Sequence, residues 1–198
     1  NWFAPVGVER QDKPTFGRAN WFEYVGAEHR AVRERVALID QSSFTKFEVE
    51  GPGTFRFLQY LAANDLDKPP GAAIYTQLCN ERGGIEADLT IMRTREQAFY
   101  IVTGSGFGVR DGQWILSHMP NDGTVAMRDV TSTRAVINLC GPESRRVLEK
   151  VTADDVSNDG FPYMQCREIE IGYAPVFAIR ITYVGELGWE LHMPQEFS

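Results

Sequence analysis

The stretch Asn80-Glu81-Arg82-Gly83-Gly84-Ile85-Glu86-Ala87-Asp88-Leu89-Thr90-Ile91-Met92-Arg93 decides how the rest of the chain is read. Ile85, Ala87, Leu89 and Ile91 alternate with Glu86, Asp88 and Thr90, a period of two that describes a strand with one apolar and one polar face. Asn80 to Gly84 is polar and ends in two glycines, and Ala73 to Cys79 before it has strand composition. Together they predict a β-hairpin with a five-residue loop. A third strand, Ala98 to Thr103, follows a turn at Thr94 to Gln97, so three strands are expected side by side and antiparallel. Asp88 then stands in mid-strand, where Asp is disfavoured. A functional or paired carboxylate and a simply solvated face both fit that pattern.

Upstream, Glu23 to Leu38 suits an amphipathic helix with Val25, Val32, Val36 and Ile39 near one face. Thr45 to Glu50 alternates like a half-buried strand closed by Gly51-Pro52-Gly53, and Phe55, Leu58, Leu61 and Ala62 mark a short helix that Asn64 and Asp65 end. Downstream, Arg110 to Met119 reads as a helix, Thr124 to Val130 and Ala135 to Leu139 as strands, and a helix is expected to begin at Pro142. Strands at Cys166 to Ile171, Val176 to Val184 and Trp189 to Met193 complete an α+β pattern.

The 198 residues allow one domain or two interlocked lobes, and 43% hydrophobic with 24% charged residues describes a folded chain. A net charge of -7 argues against nucleic acid or an anionic membrane as the main partner. No apolar run approaches the roughly 18 to 20 residues of a membrane helix. Cys79, Cys140 and Cys166 are odd in number and widely spaced, which points to neither a disulfide framework nor a zinc site and fits a reducing compartment. His29, His118 and His192 show no metal-ligand spacing, so no metal is expected.

Two further segments carry chemistry. In Tyr183-Val184-Gly185-Glu186-Leu187-Gly188-Trp189-Glu190, two carboxylates sit in a glycine-bounded turn between apolar strands. Such a Glu can accept two parallel hydrogen bonds from an amidine, a guanidinium or a pterin edge, with Trp189, Tyr183 and Tyr75 as an aromatic wall. An exposed hairpin tip accounts for the same residues. Gly104-Ser105-Gly106-Phe107-Gly108 lies between a strand and a helix, where amides cradle phosphate. It lacks the third glycine of the dinucleotide fingerprint, because Val109 stands there, and reads better as a tight turn.

The runs Ile39-Asp40-Gln41-Ser42-Ser43-Phe44-Thr45-Lys46-Phe47-Glu48-Val49-Glu50-Gly51, Tyr75-Thr76, Asn80 to Thr90, Cys140-Gly141-Pro142 and Tyr183 to Glu190 resemble, in order, the glycine-cleavage T-protein (aminomethyltransferase) family. Glu86-Ala87-Asp88 and Tyr183-Val184-Gly185-Glu186 look more like the folate-binding halves of dimethylglycine and sarcosine dehydrogenases. The T-protein typically has Asp at the position of Ala87 and Thr at that of Val184. The opening Asn1-Trp2-Phe3-Ala4-Pro5 is similar to the junction after their flavin domain. The Asn that usually follows the family's third strand is absent from Val102-Thr103-Gly104-Ser105.

The resemblance implies antiparallel sheets in two interlocked lobes flanked by helices, the aminomethyltransferase folate-binding fold without its C-terminal β domain. Residues 1–22 are expected as a junction and 23–198 as the folate-binding domain, with about 52–135 an inserted lobe. It implies tetrahydrofolate as cofactor, Asp88 as the catalytic aspartate, Glu186 as the glutamate that holds the pterin, and Tyr75 as a folate contact. FAD is expected in a preceding half of the same polypeptide, with a methylated amine as substrate.

The implied activity is the trapping of an iminium-derived one-carbon unit as 5,10-methylenetetrahydrofolate. A flavin-free O- or S-demethylase or an aminomethyltransferase is the alternative in the same fold. A non-catalytic folate-binding module is the alternative of another class, although the Lys-Gly-Cys-Tyr-x-Gly-Gln-Glu signature of such relatives is absent. Bacterial cytoplasm, or alternatively the mitochondrial matrix, is the implied compartment. Because the family's third domain supplies a basic residue near the folate, the isolated chain is expected to bind folate weakly or not at all.

Overall fold

A computed structural model describes residues 2–198; Asn1, with the first position of the junction-like opening, lies outside the described residues. The chain is α+β. It forms two five-stranded antiparallel sheets with helices packed against them. In chain order the strands are β1 (Ala37–Asp40), β2 (Thr45–Glu50), β3 (Ala73–Cys79), β4 (Ile85–Arg95), β5 (Ala98–Thr103), β6 (Ala126–Asp129), β7 (Arg134–Cys140), β8 (Cys166–Ile171), β9 (Ala174–Ile179) and β10 (Gly188–Pro194). The helices are α1 (Phe22–Glu34), α2 (Thr54–Leu61), α3 (Gly108–His118) and α4 (Ser144–Leu148). One sheet runs β1-β7-β10-β9-β8, the other β3-β4-β5-β2-β6. The second sheet is thus built from one continuous stretch of chain inserted between β1 and β7 of the first.

Alternation on each strand sorts the side chains into layers. Phe47, Val49, Ala87, Leu89, Ile91, Phe99 and Ile101 face Leu58 and Leu61 of α2 and Ile115 of α3. On the other face of that sheet, Met92, Tyr100 and Val102 meet Cys166, Ile179 and Phe177 of the first sheet. The far face of the first sheet packs Leu139, Val176, Ala178, Trp189 and Leu191 against Leu148 and Phe161. The order is therefore helices, sheet, sheet, helix and loop, with the central strand of each sheet, β5 and β10, buried on both faces.

Three elements depart from the sequence reading. The first helix stops at Glu34 rather than running to Leu38, because 37–40 pairs as β1 with β7, Ala37 opposite Cys140 and Asp40 opposite Ile137. No residue of α1 is buried, so its apolar side does not build the core. Pro142 precedes α4 instead of opening it. Gly141 has φ 115°, and a Cβ there would fall 2.6 Å from the Arg35 carbonyl oxygen, so the chain turns before the helix begins. The strand expected at Val176 to Val184 ends at Ile179, beyond which the Thr182 hydroxyl donates to the Glu186 carbonyl at 2.7 Å and curls the segment into a turn.

Lys46 links the two sheets. Its side chain is fully buried, and Nζ donates to the carbonyls of Ser42 at 2.8 Å and Arg134 at 2.9 Å. Ser42 lies between β1 and β2, and Arg134 opens β7, so one ammonium binds both strands of chain that pass between the sheets. Burial pulls its pKa down, opposed by the charges of Asp129 and Asp40.

Candidate functional site

A cavity of about 970 Å³ opens between the two sheets. Its floor is the polar face of the hairpin that the sequence singled out. Tyr75 lies opposite Thr90 and Gln77 opposite Asp88, so Tyr75 and Asp88 are diagonal neighbours on one face. Asp88 is exposed to the cavity, while Ala87 and Leu89 on either side are buried beneath it. The neighbouring Asp88 carboxylate holds the Tyr75 phenol above its ordinary pKa.

The opposite wall comes from the first sheet and the segments leading to it: Tyr163, Met164, Ile181, Thr182, Tyr183 and Glu190. Tyr183 is 93% exposed at the mouth, whereas the Glu190 side chain is only 14% exposed. Met164 adopts φ 61°, in the left-handed region. Its amide donates to Arg180 at 3.0 Å and its carbonyl accepts from Ala73 at 2.9 Å, which fixes an unfavourable conformation at the cavity wall.

At the end of the hairpin, Asn80 Nδ2 and an Arg110 guanidinium nitrogen donate to Glu86 at 2.7 and 2.8 Å. Both hold the Glu86 carboxyl below its usual range, Asn80 most. Among the described residues, Arg110 is the one Lys or Arg in the cavity lining. Asp111, next along α3, also lines the cavity; Thr103 Oγ1 donates to its Oδ2 at 2.5 Å, and its Oδ1 is buried without a partner. Burial pushes the Asp111 pKa up. Gly104 and Phe107 of the glycine-rich turn are at the cavity, while a Cβ on Gly108 would overlap Thr45 Oγ1, which gives that turn a packing reason for its glycine.

Of the residues read from sequence, Asp88, Tyr75 and Tyr183 come together here. Trp189 does not: it is 0% exposed, sits in the outer core against Phe161, and has the guanidiniums of Arg145 and Arg180 each 5.7 Å from its ring centroid. Strand alternation is the reason, since Trp189 and Leu191 face the outer core and Glu190 and His192 face the other sheet. Glu186 is not in the lining either. It lies in the turn before β10, close enough to Cys140 for its charge to help raise that thiol's pKa. Glu190 occupies the inward position instead, and the parity of Trp189 as a core residue was the signal for it. Asp111 and Met164 had no comparable signal, because a first-turn Asp reads as a helix-dipole residue and a left-handed Met has no sequence signature. Among the described residues, no group of three His, Cys, Asp or Glu side chains is arranged to hold a metal, and no helix is long and apolar enough to cross a membrane.

Comparison with known proteins agrees with this architecture. The chain is 38% identical over 199 residues to human mitochondrial dimethylglycine dehydrogenase, covering 100% of this chain and 23% of that protein. It is 37% identical over 192 residues to the 4-methylaminobutanoate oxidase (formaldehyde-forming) of Paenarthrobacter nicotinovorans, covering 97% of this chain and 23% of the relative. It thus spans about a quarter of the length of these relatives. The crystal structure of glycine cleavage system aminomethyltransferase T from Bartonella henselae superposes with a TM-score of 0.77 at 26% identity, over 95% of this chain and 51% of that one. The family model for the GCVT N-terminal domain matches residues 1–198, and the chain belongs to that family.

Proposed function

We propose that the chain is the tetrahydrofolate-binding part of an N-methyl amine dehydrogenase or oxidase of the dimethylglycine and sarcosine type. In that reading the one-carbon unit released by amine oxidation is captured as 5,10-methylenetetrahydrofolate. The observation that carries it is the convergence of Asp88 and Glu190, from different sheets, on one cavity that also holds Tyr75 and Tyr183. The volume, about 970 Å³, suits a cofactor-sized ligand. Two carboxylates with phenol rings suit a flat heterocycle with N–H groups on its edge.

Bound tetrahydrofolate supplies the nucleophilic nitrogens that accept a one-carbon unit at the formaldehyde level. The residues of this chain do the rest. Glu190 accepts the N–H groups of the ring edge and fixes its rotation. Tyr75 and Tyr183 cover the ring faces. Asp88 offsets positive charge on nitrogen and takes up the proton released there. Enclosure between the sheets keeps water from carrying the one-carbon unit off. In this reading the oxidation belongs to an FAD domain in the same polypeptide; that two relatives are named a dehydrogenase and an oxidase, and that this chain spans about a quarter of each, supports an oxidising part outside this chain.

The test is Asp88→Ala in the intact protein, with flavin reduction and methylenetetrahydrofolate formation measured separately. Product formation is expected to fall to background while flavin reduction stays near wild type. An unchanged product yield removes Asp88 from the reaction.

A further inference from the structure

We infer that His192 and Tyr100 are positioning residues for Glu190, fixing its carboxylate through a buried hydrogen-bond chain. The purpose assigned to that chain rests on the folate-site reading above; its geometry does not. His192 is fully buried between the sheets. Its Nε2 lies 3.4 Å from Glu190 Oε2, and its Nδ1 lies 3.1 Å from the Tyr100 hydroxyl. The Tyr100 ring meets the imidazole edge-on at 84°, with centroids 5.4 Å apart, and Phe177 meets it at 72° and 6.5 Å. The imidazole therefore has little freedom to rotate.

The order of donors follows from the inventory of each group. A carboxylate only accepts, and a neutral imidazole has one N–H and one bare nitrogen. Burial favours the neutral ring, as do the charges of Lys46 on β2 and Arg134 on β7, against the pull of Glu190 on β10. Burial likewise keeps the Tyr100 phenol protonated and able to donate. The Tyr100 O–H then occupies Nδ1, the ring proton resides on Nε2, and that N–H donates to Glu190. One carboxylate oxygen is anchored from behind, and the remaining lone pairs face the cavity in a fixed plane. The logic is that of an outer residue orienting an inner ligand-binding group.

Tyr100 also lines a second cleft of about 630 Å³ on the other side of the inter-sheet contact, beside Arg134 and Glu48. The chain Tyr100, His192, Glu190 thus runs through the protein from one cleft to the other.

The experiment uses the intact protein with ¹⁵N-labelled histidine. Long-range ¹H–¹⁵N correlation is expected to report the Nε2–H tautomer of His192 in the wild type and a mixture of tautomers in Tyr100→Phe. Tetrahydrofolate is then titrated from about pH 5.5 to about pH 8. His192→Gln, which keeps an N–H donor, is expected to bind within about threefold of wild type. His192→Leu is expected to bind about tenfold more weakly, with the acid-side loss of binding beginning at higher pH. Thermal melts identify any variant that fails to fold, and in that case the wild-type tautomer, Tyr100→Phe and His192→Gln decide. An Nδ1–H tautomer in the wild type, or a folded His192→Leu with wild-type affinity and pH profile, overturns the inference. A wild type that binds no tetrahydrofolate overturns the folate reading instead and leaves the tautomer to decide the positioning role.

Discussion

Trp189 and Glu190 are adjacent in the chain and face opposite sides of one sheet: the indole is sealed in the outer core, and the carboxylate lines the cavity between the sheets. The turn glutamate that resemblance favoured, Glu186, is outside that lining. Glu190→Gln is therefore expected to weaken tetrahydrofolate binding about tenfold or more, and Glu186→Gln by no more than about threefold. Calorimetric titration of the two variants checks the ranking, and the reverse order returns the role to the turn.

Trp189→Ala removes a fully buried indole from a packed layer. A loss of about 3 to 5 kcal/mol in unfolding free energy is expected. Denaturant melts measure it. Full stability combined with lost ligand binding would put the indole in the site after all.

Asp111 titrates in a direction that opposes folding at neutral pH. Burial raises its pKa above 3.8, so the folded state holds the proton more tightly than the unfolded state does. Stability from this group is present below pH 3.8 and is lost as pH rises from there through the raised folded value. Asp111→Asn is expected to abolish that decline and to gain relative stability towards neutrality. Melting temperatures from about pH 4 to about pH 8 test this; parallel curves for variant and wild type contradict it.

Lys46→Met keeps most of the side-chain volume but removes the donor shared by the Ser42 and Arg134 carbonyls. The expected cost is roughly 2 to 4 kcal/mol, from two acceptors left in a buried place. Urea unfolding monitored in both sheets reads it. A variant as stable as the wild type would mean that water satisfies both carbonyls.

Local pattern was enough where a strand's partner is close in sequence. The bounds of β3, β5 and β8 are those that alternation and turn residues predict, and Asp88 was found on the polar face of β4 for the same reason. β1 is not legible in the sequence because its partner, β7, lies on the far side of the inserted sheet, and only that pairing makes Ala37 to Asp40 extended. β10 was harder still. Both of its faces carry buried side chains, Trp189 and Leu191 in the outer apolar layer and His192 against Tyr100 of the other sheet, so composition alone does not say which carboxylate points inward. The residue with the largest apolar surface, Trp189, fixes that choice once the strand is known.

The two places held by Lys46 are also where the chain leaves the first sheet and rejoins it, and β2 and β6, the strands at those places, are hydrogen-bonded neighbours. The inserted sheet therefore begins and finishes at one spot, like a leaf on a short two-ply stalk. Such a leaf can complete its own pairing without threading, and it tolerates excision or grafting better than a sheet whose ends lie apart. A single ammonium clasps both plies of the stalk, and the backbone hydrogen bonds from Ala73 to Met164 and from Cys166 to Gly71 stitch the leaf down a second time where β3 and β8 begin.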